Sequence, residues 1–385
     1  MEKAYITRDR QDLIYLIFCA LHGQQPDQER IRSMDLDGIY RQARLHTLSA
    51  LVAVALDRQL EPEQAGRWKE AREKALRKNI LLDMESKAIC AEMERQRIWH
   101  MPLKGSVMKN LYPRLEMREM ADQDILFDAD FREQMCRFMT ERGYQSNRME
   151  RDHHDTYSKP PVYNIELHMA LLSSDLNLKW IRYYENVRDR LIPNAPGSFG
   201  CHFSDEEFYI YMTIHAKKHY DVNGIGLRTL VDVYVFLSQK QAVLDWDYID
   251  RQCAMLEIRD YERQCRALAQ KLFGSEEIPE LTDRELEMLA YFLDSGSFGT
   301  QENQIRNDLR NVLGDGEKLT GWVKFRYFLR RTFPSLRWMQ GHFPILGKRP
   351  WLLPVMWGYR ILRGIFKGGK RMLKELRQVL GAKEV

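Results

Sequence analysis

Cysteine is scarce and unpatterned in this chain. The six cysteines, at positions 19, 90, 136, 201, 253 and 265, include no Cys-x-x-Cys pair, which speaks against a zinc ribbon or a disulfide framework and fits a reducing compartment. Long apolar runs are missing as well. The stretch Leu13 to Ala20 falls short of the roughly 20 residues that span a bilayer and reads as a core helix. No internal repeat or low-complexity segment occurs, and 44% apolar with 30% charged residues describes a soluble globular chain of two or three domains. Acids nearly vanish at one end. From Lys318 onward 16 Lys or Arg stand against 2 acids, which leaves 43 basic and 53 acidic residues before it, so the net charge of +4 conceals an acidic body and a basic tail.

What is present is concentrated between residues 99 and 170. Asp122 and Asp124 flank Gln123 in a segment that reads as a strand, Gln123 to Phe127. Residues i and i+2 of a strand share a side, so the two carboxylates enter one space. Like charges that close repel unless a cation lies between them. Hard divalent ions take oxygen ligands, and Mg²⁺ typically uses one or two carboxylates and leaves its other positions to water and phosphate oxygens. Glu166, between Ile165 and Leu167 on a second strand, is the candidate third acid, and a third acid allows a second ion about 3.5–4 Å away. Mg²⁺ or Mn²⁺ is the expected cofactor. Upstream, Gly105 and Ser106 follow the apolar stretch Trp99 to Leu103 and open a short helical pattern, a place where backbone N–H groups meet an anion; Lys104 adds a point charge there.

Together, Leu103-Lys104-Gly105, Tyr112-Pro113, Arg118, Asp122-x-Asp124 and Glu166-Leu167-His168 resemble the uncharacterised nucleotidyltransferase family of bacteria, a branch of the DNA polymerase beta-like superfamily. The resemblance continues through His215-Ala216-Lys217-Lys218-His219 and Arg228 to Asp232, covering about residues 40 to 240. It implies that Gly105 and Ser106 hold a triphosphate, that Asp122 and Asp124 bind metal, and that Glu166 activates the acceptor hydroxyl. Lys218 matches a lysine that reaches the phosphates from a second domain. Ala121 stands where glycine is common, and Gln123 where an apolar residue is usual. Arg118 is a candidate for bidentate phosphate binding, set against an ion pair with Asp122 or another nearby acid, and His168 for contact with the base or a phosphate, set against a structural hydrogen bond. His215 and His219 have the spacing of a zinc pair but lack a third ligand and the glutamate of His-Glu-x-x-His, so no zinc is expected. Asp232, four residues after Arg228, is expected to pair with it along a helix.

The element order predicts an α+β fold: a small mixed-sheet nucleotidyltransferase module embedded in helical regions. Residues 1–95 read as helical, with Leu45 to Leu56 at helical spacing and a long helix from Trp68 to Glu94. Residues 96–172 alternate strands and helices, 173–316 form a helical domain completing the cleft, and 317–385 make a basic amphipathic tail. In the tail Ile361, Ile365, Leu373, Leu376 and Leu380 approximate one helix face, interrupted by Gly368-Gly369, with Arg360, Arg363, Lys367, Lys370, Lys374 and Arg377 on the other sides. Such a helix suits an anionic membrane surface, ahead of nucleic acid, for which there is no motif; packing on the acidic body is the plainer reading. The expectation is therefore a cytoplasmic, metal-dependent transfer of a nucleotidyl group from an NTP to a hydroxyl or phosphate acceptor, with release of pyrophosphate. Its alternatives are a non-catalytic nucleotide-binding adaptor and a component of surface-polysaccharide synthesis peripheral to the inner face of the membrane.

Overall fold

The computed structural model describes residues 6–147, 153–313, 317–343 and 345–381, and for residues 147, 337, 341 and 364–376 it describes the backbone alone. The N-terminal region is helical. Leu13 to Ala20 lies within the helix Arg8–His22 and is buried along its whole length. The stretch Leu45 to Leu56 is not one helix: it divides between Leu36–Leu45 and Ser49–Ala55. Thr47 adopts φ 52°, a left-handed conformation no α-helix contains, which turns the chain between them. The long helix runs from Pro62 to Arg95. Proline at its first position is harmless, because that N–H would have no helical partner anyway. Its buried residues Trp68, Ala75, Asn79, Leu82, Ser86, Ile89 and Met93 recur at steps of three, four and seven, the single stripe a surface helix needs.

The C-terminal part of that stripe, Leu82, Ile89 and Met93, covers one face of a five-stranded sheet. The strands are β1 His100–Pro102, β2 Gln123–Phe127, β3 Gln145–Asn147, β4 His154–Lys159 and β5 Tyr163–His168, in the order β1-β2-β5-β4-β3. Only β2 and β5 are parallel; the other pairings are antiparallel, so the sheet is mixed and the fold α+β. Alternation then separates the two faces. Ile125, Phe127, Tyr157, Ile165 and Leu167 pack against Leu82, Ile89 and Met93 of the long helix and against Met135 and Met139 of the helix Arg132–Glu141. Asp124, Leu126, Glu166 and His168 turn to the other face.

The helices before residue 95 and those between 205 and 293 share one apolar core, to which Leu126 also belongs. Two of the latter, Asp205–Val222 and Arg228–Lys240, supply residues that wall the cleft over the charged face. A small separate core joins Ile305, Leu309, Val323 and Tyr327 to Val379 of the last helix, Leu353–Gly381. That helix runs through Gly368-Gly369 without a break. Each glycine weakens a helix by about 1 kcal/mol relative to alanine, which does not by itself stop one. Of the expected amphipathic face, Ile365, Lys367, Lys370, Leu373, Lys374 and Leu376 lie outside the described side chains. Among the described residues no helix is long and apolar enough to cross a membrane.

Candidate active site

The turn between β1 and β2 sets the first wall. Leu103 donates its N–H to the Asp124 carbonyl (2.9 Å), tying the turn to β2, and Lys104 is held at φ 27°, a sparsely populated conformation for a side-chain-bearing residue. Glycine follows for want of space: a Cβ on Gly105 would lie 2.6 Å from Met120 Cε and 2.8 Å from an Arg118 guanidinium nitrogen. The helix that begins there, Gly105–Met108, has only four residues, shorter than the Ser106 to Tyr112 pattern, before a 3-10 turn takes over. Ser106 and Gln123 are hydrogen-bonded through their side chains, and Gln123 is fully buried. Gln123 therefore keeps the strand buried although it is polar. Gly105 lines the cleft and Ser106 does not.

The register of the sheet places the acids. Asp124 pairs with Glu166 across the parallel β2/β5 ladder, and Glu166 pairs in turn with Thr156 on β4; one step on, His168 pairs with His154. Partners in a ladder share a face, so the two carboxylates and the two imidazoles stand side by side. Asp122 lies just before β2. His168 Nε2 is 3.0 Å from Asp124 Oδ1 and 3.5 Å from Glu166 Oε2, His154 Nε2 is 3.5 Å from the same glutamate oxygen, and Lys104 Nζ is 3.6 Å from Asp124 Oδ2. His168 thus turns Nε2 to the acids.

Charges divide unequally over the three acids. Burial pushes the Asp124 carboxyl up, but Lys104 and the hydrogen bond from His168 outweigh it and hold Asp124 well below the usual carboxylate range. Glu166 follows the same pattern to a smaller degree: burial raises it, the His168 hydrogen bond lowers it, and the net direction is down. Asp122 goes the other way. Burial, then the charges of Asp124 and Glu166, push it up to about 6, against the pull of Lys104 and Arg228. Lys104 itself is held above its ordinary value; its burial works against the charge, and Asp124 overrides that. Carboxylate and imidazole atoms of Asp124, Glu166 and His168 lie within 4.8 Å of one another, close enough to share an ion, and Asp122 is outside that set.

The opposite wall is basic. Arg118 spends its fork on Asp232, with Nε 2.9 Å from Oδ1 and Nη2 3.0 Å from Oδ2, and Tyr112 adds a hydroxyl at 2.7 Å. Arg118 is therefore engaged within the protein, and Asp232 pairs with it where a helical pair with Arg228 was expected. Arg228 donates instead to the Glu119 carbonyl (3.1 Å), and burial lowers its ordinarily very high pKa. Lys218 and Arg228 both line the cleft. His215 and His219 face each other with Nε2 atoms 3.1 Å apart, and burial, followed by the nearby Lys104 charge, pushes His215 well below the ordinary histidine value. The sequence reading passed over His153 and His154, which also line this space; adjacent histidines have no spacing that marks a site.

Between the walls lies a cleft of about 400 Å³, inside the range of roughly 300–1,000 Å³ that suits small ligands. The chain matches a family model described as "Uncharacterised nucleotidyltransferase" over residues 32–274, more than half its length. That span contains Lys104, Asp122, Asp124, Glu166, His168, Lys218 and Arg228, while Ser297 and Phe298, which also line the cleft, lie beyond it. No curated protein and no solved structure matches.

Proposed function

The chain belongs to the uncharacterised nucleotidyltransferase family and is thus a transferase that takes a nucleoside triphosphate and an acceptor, and from that premise we propose that the charged face of the sheet is the transfer centre and works with Mg²⁺ or Mn²⁺. The carrying observation is the pairing of Asp124 with Glu166 across β2 and β5, beside an Asp122 whose carboxyl burial, and then their charges, push up to about 6. A set of oxygen donors whose mutual repulsion favours a proton is one that a divalent cation relieves. The donors fit the ion. Asp124 and Glu166, whose oxygens lie close enough to share it, would hold it with Asp122 beside them, and bound there it would supply positive charge to the phosphate oxygens of the substrate.

The remaining roles belong to the protein. Lys104, Gly105, Arg228 and Lys218 place donors along the cleft for the triphosphate. Ser106, bonded to Gln123, steadies the turn. Arg118, paired with Asp232, holds the two walls in register across 114 residues of sequence. His168 orients the Asp124 and Glu166 carboxylates. An acceptor oxygen attacks the α-phosphorus, its proton passes to Glu166, and the bond to the pyrophosphate oxygen breaks. The chemistry rests on positioning and charge neutralisation, without a covalent enzyme intermediate. The test is incubation with each labelled nucleoside triphosphate, Mg²⁺ or Mn²⁺, and a host lysate. Labelled product from one of them, absent with Asp122→Asn, is expected; equal product with that variant would refute the site.

A second reading concerns the tail. Trp322 (61% exposed) and Trp351 (71%), with Phe325, Val355 and Tyr359, present apolar side chains amid its lysines and arginines. Aromatic and basic side chains together suit an anionic bilayer at the inner membrane face. Full-length protein is then expected to float with vesicles containing anionic lipid and not with zwitterionic ones, and Trp322→Ala with Trp351→Ala to weaken it. Flotation with neither vesicle would remove this reading.

A further inference from the structure

Behind the carboxylates lies a group of three histidines, of which the transfer reaction uses only His168, and only one of its two ring nitrogens. His153, His154 and His168 are 6%, 3% and 5% exposed, and one ring nitrogen from each lies within 4.8 Å of the other two. They come together for a structural reason. His154 and His168 are register partners on adjacent antiparallel strands, and the His153 carbonyl accepts from the backbone N–H groups of Met169 and Ala170, which folds that residue over the end of β5.

The orientation of the rings carries the argument. An ionised carboxylate only accepts, so the 3.0 Å contact of His168 Nε2 with Asp124 puts a proton on Nε2. The other nitrogen, His168 Nδ1, is buried with no hydrogen-bond partner. A buried orphan of this kind is costly unless something satisfies it. His154 likewise turns Nε2 toward a carboxylate, 3.5 Å from Glu166, while its Nδ1 shares a hydrogen with His153 Nε2 at 3.1 Å, so that these two inward nitrogens meet each other. An imidazole whose N–H points at a carboxylate while its second nitrogen faces inward is the arrangement that metal-ligating histidines adopt.

We infer that His153, His154 and His168 form a three-imidazole site for a borderline divalent transition cation, Zn²⁺ or Co²⁺, separate from the oxygen-lined site proposed for Mg²⁺. Imidazole nitrogen favours such ions over Mg²⁺, and three protein ligands leave a fourth position for water. The expectation of no zinc rested on His215 and His219 and did not weigh this group. The ion ties β4 to β5 and locks the ring that holds Asp124. Its existence does not depend on the transfer reaction.

The test uses full-length protein stripped with a chelator and titrated with Zn²⁺ in the presence of millimolar Mg²⁺. A single equivalent should bind, and X-ray absorption should report about three imidazole nitrogens at roughly 2.0–2.1 Å. His153→Gln leaves Asp124, Glu166 and His168 in place, so it separates this site from the acids: it should lose the equivalent. If that variant fails to fold, the nitrogen count on the wild type still decides. Binding kept by a folded His153→Gln, an oxygen-dominated shell, displacement by Mg²⁺, or no stoichiometric Zn²⁺ would each overturn the inference.

Discussion

One sheet presents two chemistries, and the contrast explains how the protein tolerates a buried cluster of charge. On one face Ile125, Phe127, Ile165 and Leu167 meet two helices in an apolar core. On the other, offset by a single residue at each step, Asp124, Glu166 and His168 share a cleft with Lys104. Stability is drawn from the first face; the second spends some of it, because three acids and a lysine there give up water for one another. A one-residue slip would exchange the faces, which is why the apolar positions also fix where the carboxylates stand.

The comparison breaks most sharply at Asp124. Asp124→Asn is expected to lower transfer by at least about 10³-fold, in the range seen when a stabiliser of developing charge is removed, while the far-ultraviolet spectrum stays native. Phe127→Ala, on the opposite face, should do the reverse: it should remove about 3–5 kcal/mol of stability in urea unfolding and leave transfer per folded molecule unchanged.

Two buried histidines sharpen it further. His168, beside carboxylates, is shifted upward even though burial alone would lower it, whereas His46 is lowered to about 4, chiefly by burial and then by Arg10. His46 Nδ1 accepts from the Leu227 N–H (3.2 Å), so its neutral form is the one built in. Its folded value lies below the ordinary 6.5, so the unfolded chain takes the proton first as pH falls. The stability that His46 contributes is therefore complete above pH 6.5 and lost between there and about 4, by at most about 3 kcal/mol. Unfolding across that range should steepen less with pH in His46→Gln. The smallest effect is expected at the turn. Gly105→Ala forces its Cβ against Met120 and Arg118 and should destabilise by about 1–3 kcal/mol, partly relieved by Met120→Ala in the same melts.

Local order was legible. Alternation marked β2 and β5, and helical spacing marked the long helix to its C-terminal end but began it six residues late, at Trp68 where the helix starts at Pro62. The departures have physical causes. Thr47 breaks a continuous helical pattern through one left-handed residue, and nothing in hydrophobic spacing signals that. The tail glycines leave their helix intact because a propensity penalty is small beside the length of the element. Long-range partners were the least legible: Arg118 meets Asp232 across the cleft because the fold brings two walls together, and neither neighbourhood names the other. Residue types at strand spacing could suggest that Asp124 and Glu166 share a face. That they stand opposite one another depends on β2 and β5 pairing in parallel, a property of the sheet as a whole.

Parallel reactions with α-labelled and γ-labelled nucleoside triphosphate, full-length protein, divalent cation and host lysate address the central claim most directly. The α-label should appear on an acceptor while the γ-label leaves as pyrophosphate, with both signals lost in Glu166→Gln. A γ-label retained on the acceptor would make the charged face a phosphoryl-transfer centre, and no movement of either label would deny it a transfer function.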